Sequence, residues 1–336
     1  MSLDEQNNLS ERLLIFLPCY LDYKLAIAQA EKISALKKLG NVNLEILVMI
    51  SCNGVKLSSL EQTKMSQLCD FVLYYPFGIS GDINITQGFM HALRLEADYL
   101  WILSANDEVS EHFIESIVNE LVLRKDVHIL VGCEVKGNEL RYINSVFDPE
   151  NQSIPFGLIS AVVYRTKELS RNFDTAVQMN WTGWGQLATI EASCISLGRI
   201  KVSLVQASEL YIRSTRILTN RGEERSRVRN GYAHSFFGMP IVINTLYAAN
   251  ERKRREYLNK WIIGNWYLVN YFRGTNFSLW SSHVASNQMW LRDLSFASLR
   301  NASISCRLIL MLGKSVKFDL IRDMKLAKLI RRKFLG

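Results

Sequence analysis

The sequence is poor in the residues that build cross-linked or flexible chains. Its 336 residues include only 6 Cys, 5 Pro and 18 Gly, and the cysteines are scattered without a Cys-x-x-Cys pair. This spacing argues against a disulfide framework and against a thiolate metal site, so we expect free thiols in a reducing cytosol. The scarcity of Pro and Gly leaves little room for long flexible linkers.

Long hydrophobic stretches are also missing. The apolar-rich uncharged runs 236–250 and 261–272 are shorter than the ~20 residues that span a bilayer, and both contain Asn. Residues 1–12 are polar and acidic, so we expect no secretory signal there. With 48% hydrophobic and 21% charged residues, the composition is typical of a globular protein and excludes a disordered chain, a collagen or a coiled coil.

The formal charge of +8 is unevenly distributed. Residues 307–336 contain nine Lys and Arg against two Asp, a local charge of +7, and residues 213–229 contain six Arg. A basic tail is compatible with a solvated helix or with contact to an anionic surface. Trp and Tyr are frequent before this tail and no recognisable nucleic-acid-binding module is present, so the pattern favours a membrane surface over nucleic acid.

The first half of the chain alternates short apolar runs with helical patterns. Runs typical of buried strands lie at 13–17, 44–50, 71–75, 99–103 and 127–132. Such alternation predicts an α/β fold with a mostly parallel sheet flanked by helices on both faces. The region that follows is largely helical in pattern. We therefore predict a sheet domain over residues 1–212, followed by an Arg-rich loop and a helical, basic region over residues 213–336.

Ligands of such sheets bind at the carboxyl ends of the strands. Topology alone therefore singles out four loops, which span residues 18–23, 52–56, 78–82 and 104–108.

Four segments, in this order, resemble those of the family 2 glycosyltransferases, which have the GT-A fold. Residues 46–55 resemble the segment that holds the nucleobase and ribose, and residues 78–92 resemble the segment beneath the donor. Residues 98–109 are similar to the strand and acidic cluster that bind a divalent metal and the sugar-nucleotide diphosphate. Residues 156–169 resemble a later segment of the family. The resemblance covers residues 13–205.

The chain departs from the family pattern at polar positions. Ser104 and Asn106 stand where the acidic cluster has Asp, and Cys52 stands at the Asp of the nucleobase segment. Thr86 stands at an Asn beneath the donor. The position of the family's catalytic acid pair is taken by Gln186 and its neighbour, so the base is not where the family places it.

The resemblance implies that Asp107 and Glu108 hold Mn2+ or Mg2+ and, with Asn106, the diphosphate of a nucleotide sugar. Metal binding is expected to be weak because two acids are lost. His234 is a candidate third metal ligand, and the Arg of residues 213–229 could close over the diphosphate. Three alternatives remain open. The acid pair could cap the following helix, the Arg segment could be solvated surface, and a lone His is often structural.

The nucleoside contacts are predicted in three of the loops. Pro18 and Tyr20 would line the pocket, and Asn53 with Gly54 would contact the base or ribose. Asn-Gly is equally a turn signal. Asp82 begins a predicted helix, where it could be an N-cap or could reach the ribose or the sugar.

The acceptor and the catalytic base are predicted further along the chain. Trp181 and Trp184, flanked by glycines, could form a platform for the acceptor sugar, or they could be a core pair in a turn. An inverting transfer needs a general base, and Glu191 and Asp174 are the candidates beside the catalytic Asp107. Glu191 could equally be a packed or ion-paired residue.

The sequence thus predicts a cytoplasmic glycosyltransferase, peripheral at the inner face of the membrane through its basic C-terminus. It would move a sugar from a nucleotide-sugar donor to a saccharide or lipid-linked acceptor, with inversion, during assembly of O-antigen, capsule or a related surface polysaccharide. The alternative is a degenerate fold that only binds, as a scaffold of the same pathway. No nucleic-acid partner is expected.

Overall fold

A computed structural model describes residues 11–20, 23–38, 44–54, 57–79, 81–104, 107, 109–207, 238–264 and 299–306. The chain divides into two compact units, Met1–Asn180 with Gly185–Ile217 and Trp181–Trp184 with Leu218–Gly336. The predicted domain boundary after residue 212 lies outside the described residues and stays a prediction.

The first unit is built on one sheet, to which the described residues contribute eight strands in the order β3-β2-β1-β4-β7-β5-β8-β6. The parallel pairs are β1 with β2, β1 with β4, β2 with β3, and β5 with β8. The strand β7 runs antiparallel to β4 and β5, and β6 runs antiparallel to β8. The strands are β1 (Glu11–Tyr20), β2 (Leu44–Asn53), β3 (Phe71–Tyr75), β4 (Tyr99–Ile102), β5 (Ile129–Cys133), β6 (Glu139–Ile143), β7 (Val162–Arg165) and β8 (Ile200–Gln206).

Helices cover both faces of this sheet, which confirms the predicted α/β class. On one face, Leu13, Ile15 and Leu17 of β1 join a core cluster with residues of α1, α2 and α4. On the other face, Phe89 of α3 meets the rings of Tyr164 and of a phenylalanine in α6. The helices are α1 (Tyr23–Lys38), α2 (Ser59–Leu68), α3 (Gly81–Arg94), α4 (Glu111–Leu123), α5 (Thr166–Leu169), α6 (Phe173–Gln178) and α7 (Gly185–Leu197).

The first strand extends further than the sequence predicts. The predicted apolar run ends at residue 17, yet the strand continues through Pro18 to Tyr20 in register with β2, with Pro18 opposite Ser51. The neighbour on the other side, β4, pairs only with residues Leu13 to Phe16. Proline has no N–H to give to a ladder, so it is tolerated in a strand where one side is left unpaired.

The described part of the second unit includes the helices α8 (residues 238–246) and α9 (Glu251–Gly264), and residues 304–306 are also helical. Gly238 lies against the turn at Thr182, where an added Cβ would clash with the Thr182 carbonyl oxygen, so only glycine fits. The Trp184 and Trp261 rings pack edge to face with their centroids 5.5 Å apart. Among the described residues, no helix is both long enough and apolar enough to cross a bilayer.

Candidate functional site

The topology places a switch point between β1 and β4, where a ligand-binding crevice is expected. The chain passes from β1 to β2 and β3 on one side, and then returns to β4 on the other side of β1. In α/β sheets, ligands bind outside the carboxyl ends of the strands at such a switch point. Since β4 pairs with β1 only as far as Phe16, the stretch from Pro18 to Tyr20 borders this crevice. Pro18 is half-buried there, and Tyr20 is described by its backbone alone.

Asp107 lies just beyond the carboxyl end of β4 and is held by its side chain. Ser160 Oγ donates to Asp107 Oδ2 over 2.5 Å and accepts from the Ser104 backbone N–H over 2.9 Å. Ser160 belongs to the turn before β7, and the antiparallel pairing of β7 with β4 brings that turn to the same edge of the sheet. The Ser160 hydroxyl therefore joins Asp107 to the end of β4.

The backbone of Asp107 is held as well. Gln29 of α1 donates through Nε2 to the Asp107 carbonyl oxygen over 2.7 Å, and the Asp107 N–H donates to the Ser104 carbonyl oxygen over 3.0 Å. The side-chain oxygen of Gln29 is buried and has no hydrogen-bond donor among the described residues. Asp107 is thus fixed at its N–H, its carbonyl and its carboxylate.

Helix capping does not account for Asp107. The N-cap of α4 is Ser110, whose side chain accepts from the backbone N–H of Phe113 over 3.1 Å. The carboxylate of Asp107 binds Ser160 instead, so the capping alternative does not hold for Asp107.

The environment of Asp107 favours its neutral form. Burial raises the pKa of the carboxyl group, and the hydrogen bond from Ser160 lowers the pKa and offsets part of this rise. A cation that binds beside such a carboxyl group lowers its pKa again and favours the charged form. A raised pKa is therefore compatible with a group that binds a charged ligand.

One half-buried carboxylate fits the way in which Mg2+ and similar ions bind with substrate phosphates. Such ions use one or two carboxylates and leave the remaining positions to water and phosphate oxygens. Among the described residues, no group of three His, Cys, Asp or Glu lies close enough to hold a metal by itself. The predicted partners Asn106, Glu108 and His234, and the Arg of residues 213–229, lie outside the described residues.

Asn53 is the last residue of β2, and its side chain is hydrogen-bonded to the loop that follows β3. Its Oδ1 accepts from the Ile79 N–H over 2.6 Å, and its Nδ2 donates to the Ile79 carbonyl oxygen over 2.6 Å. Gly54 follows with φ of 73° and donates its N–H to the Tyr75 carbonyl oxygen. Both polar groups of Asn53 are therefore engaged by the chain, and its contact to a base or ribose stays a prediction.

Cys52, at which the sequence departs from the pattern that it resembles, lies in the core. Cys52 is fully buried, with Sγ 3.5 Å from Sδ of Met65 in α2, and burial raises the pKa of the thiol to about 11. Asp82 lies in the first turn of α3, which begins at Gly81, so it is not the N-cap of that helix. The side chain of Asp82 lies outside what the structure describes, and its contact to ribose or sugar stays a prediction.

Three buried polar residues near this edge are missed by the sequence analysis: Ser160, Gln29 and Asn84. Asn84 of α3 accepts from the Ser51 hydroxyl of β2 and donates to the Cys19 carbonyl oxygen of β1 over 3.5 Å. A signal was available for two of them. Gln29 is a polar residue on the buried side of α1. Asn84 lies two positions before Thr86, which stands where the resembling pattern has Asn.

The two candidate bases differ in exposure. Glu191 of α7 is fully buried, with Oε1 accepting from the Ser145 hydroxyl and Oε2 from the Val146 N–H, both over 2.8 Å. This geometry supports the alternative of a packed carboxylate. Asp174 is exposed in the first turn of α6 and accepts from the Thr175 N–H. A catalytic role stays a prediction for both residues.

Trp181 and Trp184 belong to the second unit, where both are half-buried. The edge-to-face contact of Trp184 with Trp261 shows that this ring takes part in packing. A platform for the acceptor sugar stays a prediction for both tryptophans.

No family model matches the sequence, and no curated protein matches it either. Among solved structures, the chain is similar to residues 1–349 of TarS from S. aureus, with 10% identity and a TM-score of 0.44, over 86% of this chain and 89% of that one. The structure of the same protein in complex with UDP-GlcNAc has 11% identity and a TM-score of 0.41, over 92% of this chain and 94% of that one. The mannosyltransferase PcManGT from Pyrobaculum calidifontis, in complex with GDP-Man and Mn2+, has 10% identity and a TM-score of 0.41, over 92% of this chain and 88% of that one.

Proposed function

We propose that this protein is a glycosyltransferase that takes a sugar from a nucleotide-sugar donor. The observation that carries the proposal is the position of Asp107, at the carboxyl end of β4 beside the switch point, fixed by Ser160 and Gln29. A carboxylate held so firmly, outside any helix cap, is suited to bind a charged ligand in the crevice.

The segments that resemble the glycosyltransferases support the same proposal. The loop at the end of segment 46–55 is joined to the loop at the start of segment 78–92 by the hydrogen bonds between Asn53 and Ile79. The loop within segment 98–109 is joined to the start of segment 156–169 by the hydrogen bonds of the Ser160 hydroxyl with Ser104 and Asp107. All four segments therefore contribute to one edge of the sheet, which is where a donor would lie.

The chemistry of the proposal depends on the charge of the leaving nucleoside diphosphate. A Mg2+ or Mn2+ ion bound to the phosphates and to Asp107 would supply Lewis-acid stabilisation of that charge. The contribution of the chain is to fix the carboxylate that meets the cation. Inversion further requires a base for the acceptor hydroxyl, and of the two candidates only Asp174 is exposed at the surface.

The finer part of the proposal concerns the acceptor and the location. We propose a lipid-linked saccharide acceptor in O-antigen, capsule or related polysaccharide assembly, at the inner face of the membrane. The support is the resemblance, together with the nine Lys and Arg of residues 307–336. Exposed cations of α9, among them Arg252 and Lys253, add to the basic character of the second unit.

Calorimetry with a panel of nucleotide sugars tests the proposal, beginning with UDP-GlcNAc and GDP-mannose, each with Mn2+ or Mg2+. We expect Asp107→Ala to weaken donor binding and lower transfer by at least about tenfold. The matched control is Asp126→Ala, an exposed Asp at the opposite edge that pairs with Lys201. It should behave as wild type. Absence of binding for every donor and metal, or full activity of Asp107→Ala, would contradict the proposal.

A second candidate is a degenerate fold that serves as a scaffold. It is favoured by one observation, the conversion of a family Asp into Cys52, which now packs against Met65. The same calorimetry separates the two candidates, because a scaffold of this kind binds neither UDP nor metal.

A further inference from the structure

Ser160 is the most constrained polar residue next to Asp107. It is 0% exposed, and both its hydroxyl and its carbonyl oxygen have hydrogen-bond partners. The hydroxyl donates to Asp107 and accepts from Ser104 N–H, while the carbonyl oxygen accepts from Nε1 of Trp101 over 2.8 Å. Because Trp101 is itself fully buried in β4, the Ser160 hydroxyl is held in one place by the core.

Gln29 holds the same residue from another element. Its side chain is in the buried layer between α1 and the sheet, with only 4% of the residue exposed, and Nε2 reaches the Asp107 carbonyl oxygen over 2.7 Å. Lys32, one turn further along α1, donates to the Val109 carbonyl oxygen over 3.2 Å. The loop that carries Asp107 is thus tied to α1 on both sides of residue 108.

We propose that Ser160 and Gln29 are positioning residues that hold Asp107 in the orientation needed to bind the cation and diphosphate of the donor. The inference rests on the proposed function. Ser104 stands where the family has an acid, and the Ser160 hydroxyl links the backbone of this position to the carboxylate that remains. In this chain, orientation by a buried hydroxyl and a buried amide compensates for the missing carboxylates.

The test measures donor binding and loop protection in the same variants of the full chain. Ser160→Ala and Gln29→Met should each weaken binding of a UDP-GlcNAc or GDP-mannose probe with Mn2+ by about 10- to 100-fold, the usual loss when a residue that orients a ligating group is removed. Hydrogen exchange of the segment 103–110 should become faster in both. Ser160→Thr keeps a hydroxyl and should restore protection and most of the affinity.

Tyr164→Phe is the matched control. It removes a fully buried hydroxyl from β7 that has no hydrogen-bond partner within the described part of the chain, so it should leave both binding and exchange unchanged. Thermal unfolding of each variant shows that it is folded.

Three outcomes decide between the explanations. If the wild type binds no nucleotide sugar, the proposed function fails, and the positioning role with it. If the wild type binds the donor and Ser160→Ala and Gln29→Met bind it equally well, the positioning role alone is overturned. If Tyr164→Phe weakens binding as much as Ser160→Ala, the loss reflects general damage to β7, and the positioning role of Ser160 is again overturned.

Discussion

Asp107 is the residue at which stability and function are expected to conflict. Its carboxyl group is half-buried, and burial raises its pKa above the ordinary value of 3.8. In the folded protein the carboxyl group therefore holds its proton more tightly than in the unfolded chain. By linkage, the folded state loses stability relative to the unfolded state as the pH rises from the ordinary pKa through the raised one.

Replacing Asp107 by Asn should therefore stabilise the fold at neutral pH. The amide cannot ionise and can still accept a hydrogen bond from Ser160, so the cost of burying a charge disappears. The gain should shrink and vanish as the pH falls below about 4, where the wild-type carboxyl is protonated in both states. Urea unfolding of wild type and Asp107→Asn between pH 3 and pH 8 measures the difference.

Two results would speak against this view of Asp107. A variant that is less stable than wild type at pH 7 would show that the charge itself holds the fold together. A gain that persists at pH 3 would show that ionisation of Asp107 is not its cause. A stabilised Asp107→Asn that binds no donor would have the behaviour of a functional site.

At the scale of elements, the central strands could be predicted, whereas the edge strand β6 could not. Strands buried on both faces read as continuous apolar runs, and β1, β2 and β4 all show this pattern. By contrast, β6 has the sequence Glu-Leu-Arg-Tyr-Ile at the sheet edge beside β8, and only its Ile143 is buried. Its strand state depends on pairing with a partner distant in sequence, which no local pattern reports.

The packing of α3 on β1 depends on Gly88. A Cβ at this position would lie 2.9 Å from a ring carbon of Phe16, closer than side chains normally approach. We expect Gly88→Ala to lower the free energy of unfolding by about 1–3 kcal/mol, because the Phe16 ring or the helix has to move. The control is Gly81→Ala at the start of the same helix, where nothing lies within 4 Å of the added Cβ.

Chemical denaturation of the two variants checks this expectation. A double variant that combines Gly88→Ala with Phe16→Leu should recover part of the loss, because the contact is shared by the two residues. Equal stability of Gly88→Ala and Gly81→Ala would show that α3 does not approach β1 as closely as described.

At the scale of the whole molecule, the sequence could predict which loops meet at one edge of the sheet, but not the contacts that join them. The order of the four similar segments indicates which loops meet at one edge, and the contacts between Asn53 and Ile79 and between Ser104 and Ser160 agree with it. Gln29 and Ser160 converge on Asp107 from positions far apart in the chain. Such convergence is a product of the tertiary fold, so motif spacing could not report it.

The distribution of charge gives the last prediction, which concerns where the protein works. The net charge is +8, and residues 307–336 supply +7 of it, so their removal leaves a nearly neutral chain. Each basic residue near an anionic leaflet contributes about 1 kcal/mol. We expect deletion of residues 307–336 to weaken binding to vesicles that contain phosphatidylglycerol by more than about tenfold, as measured by co-sedimentation.

Donor binding should be unaffected by this deletion, because the residues that hold Asp107 all belong to the first unit. A full-length variant with the nine Lys and Arg of the tail changed to Gln separates charge from hydrophobic contact. If charge attracts the tail to lipid, this variant should bind as weakly as the deletion, and raising the salt concentration should release the wild type. Vesicle binding that survives both changes would assign the tail to a solvated segment and leave the membrane contact to another part of the chain.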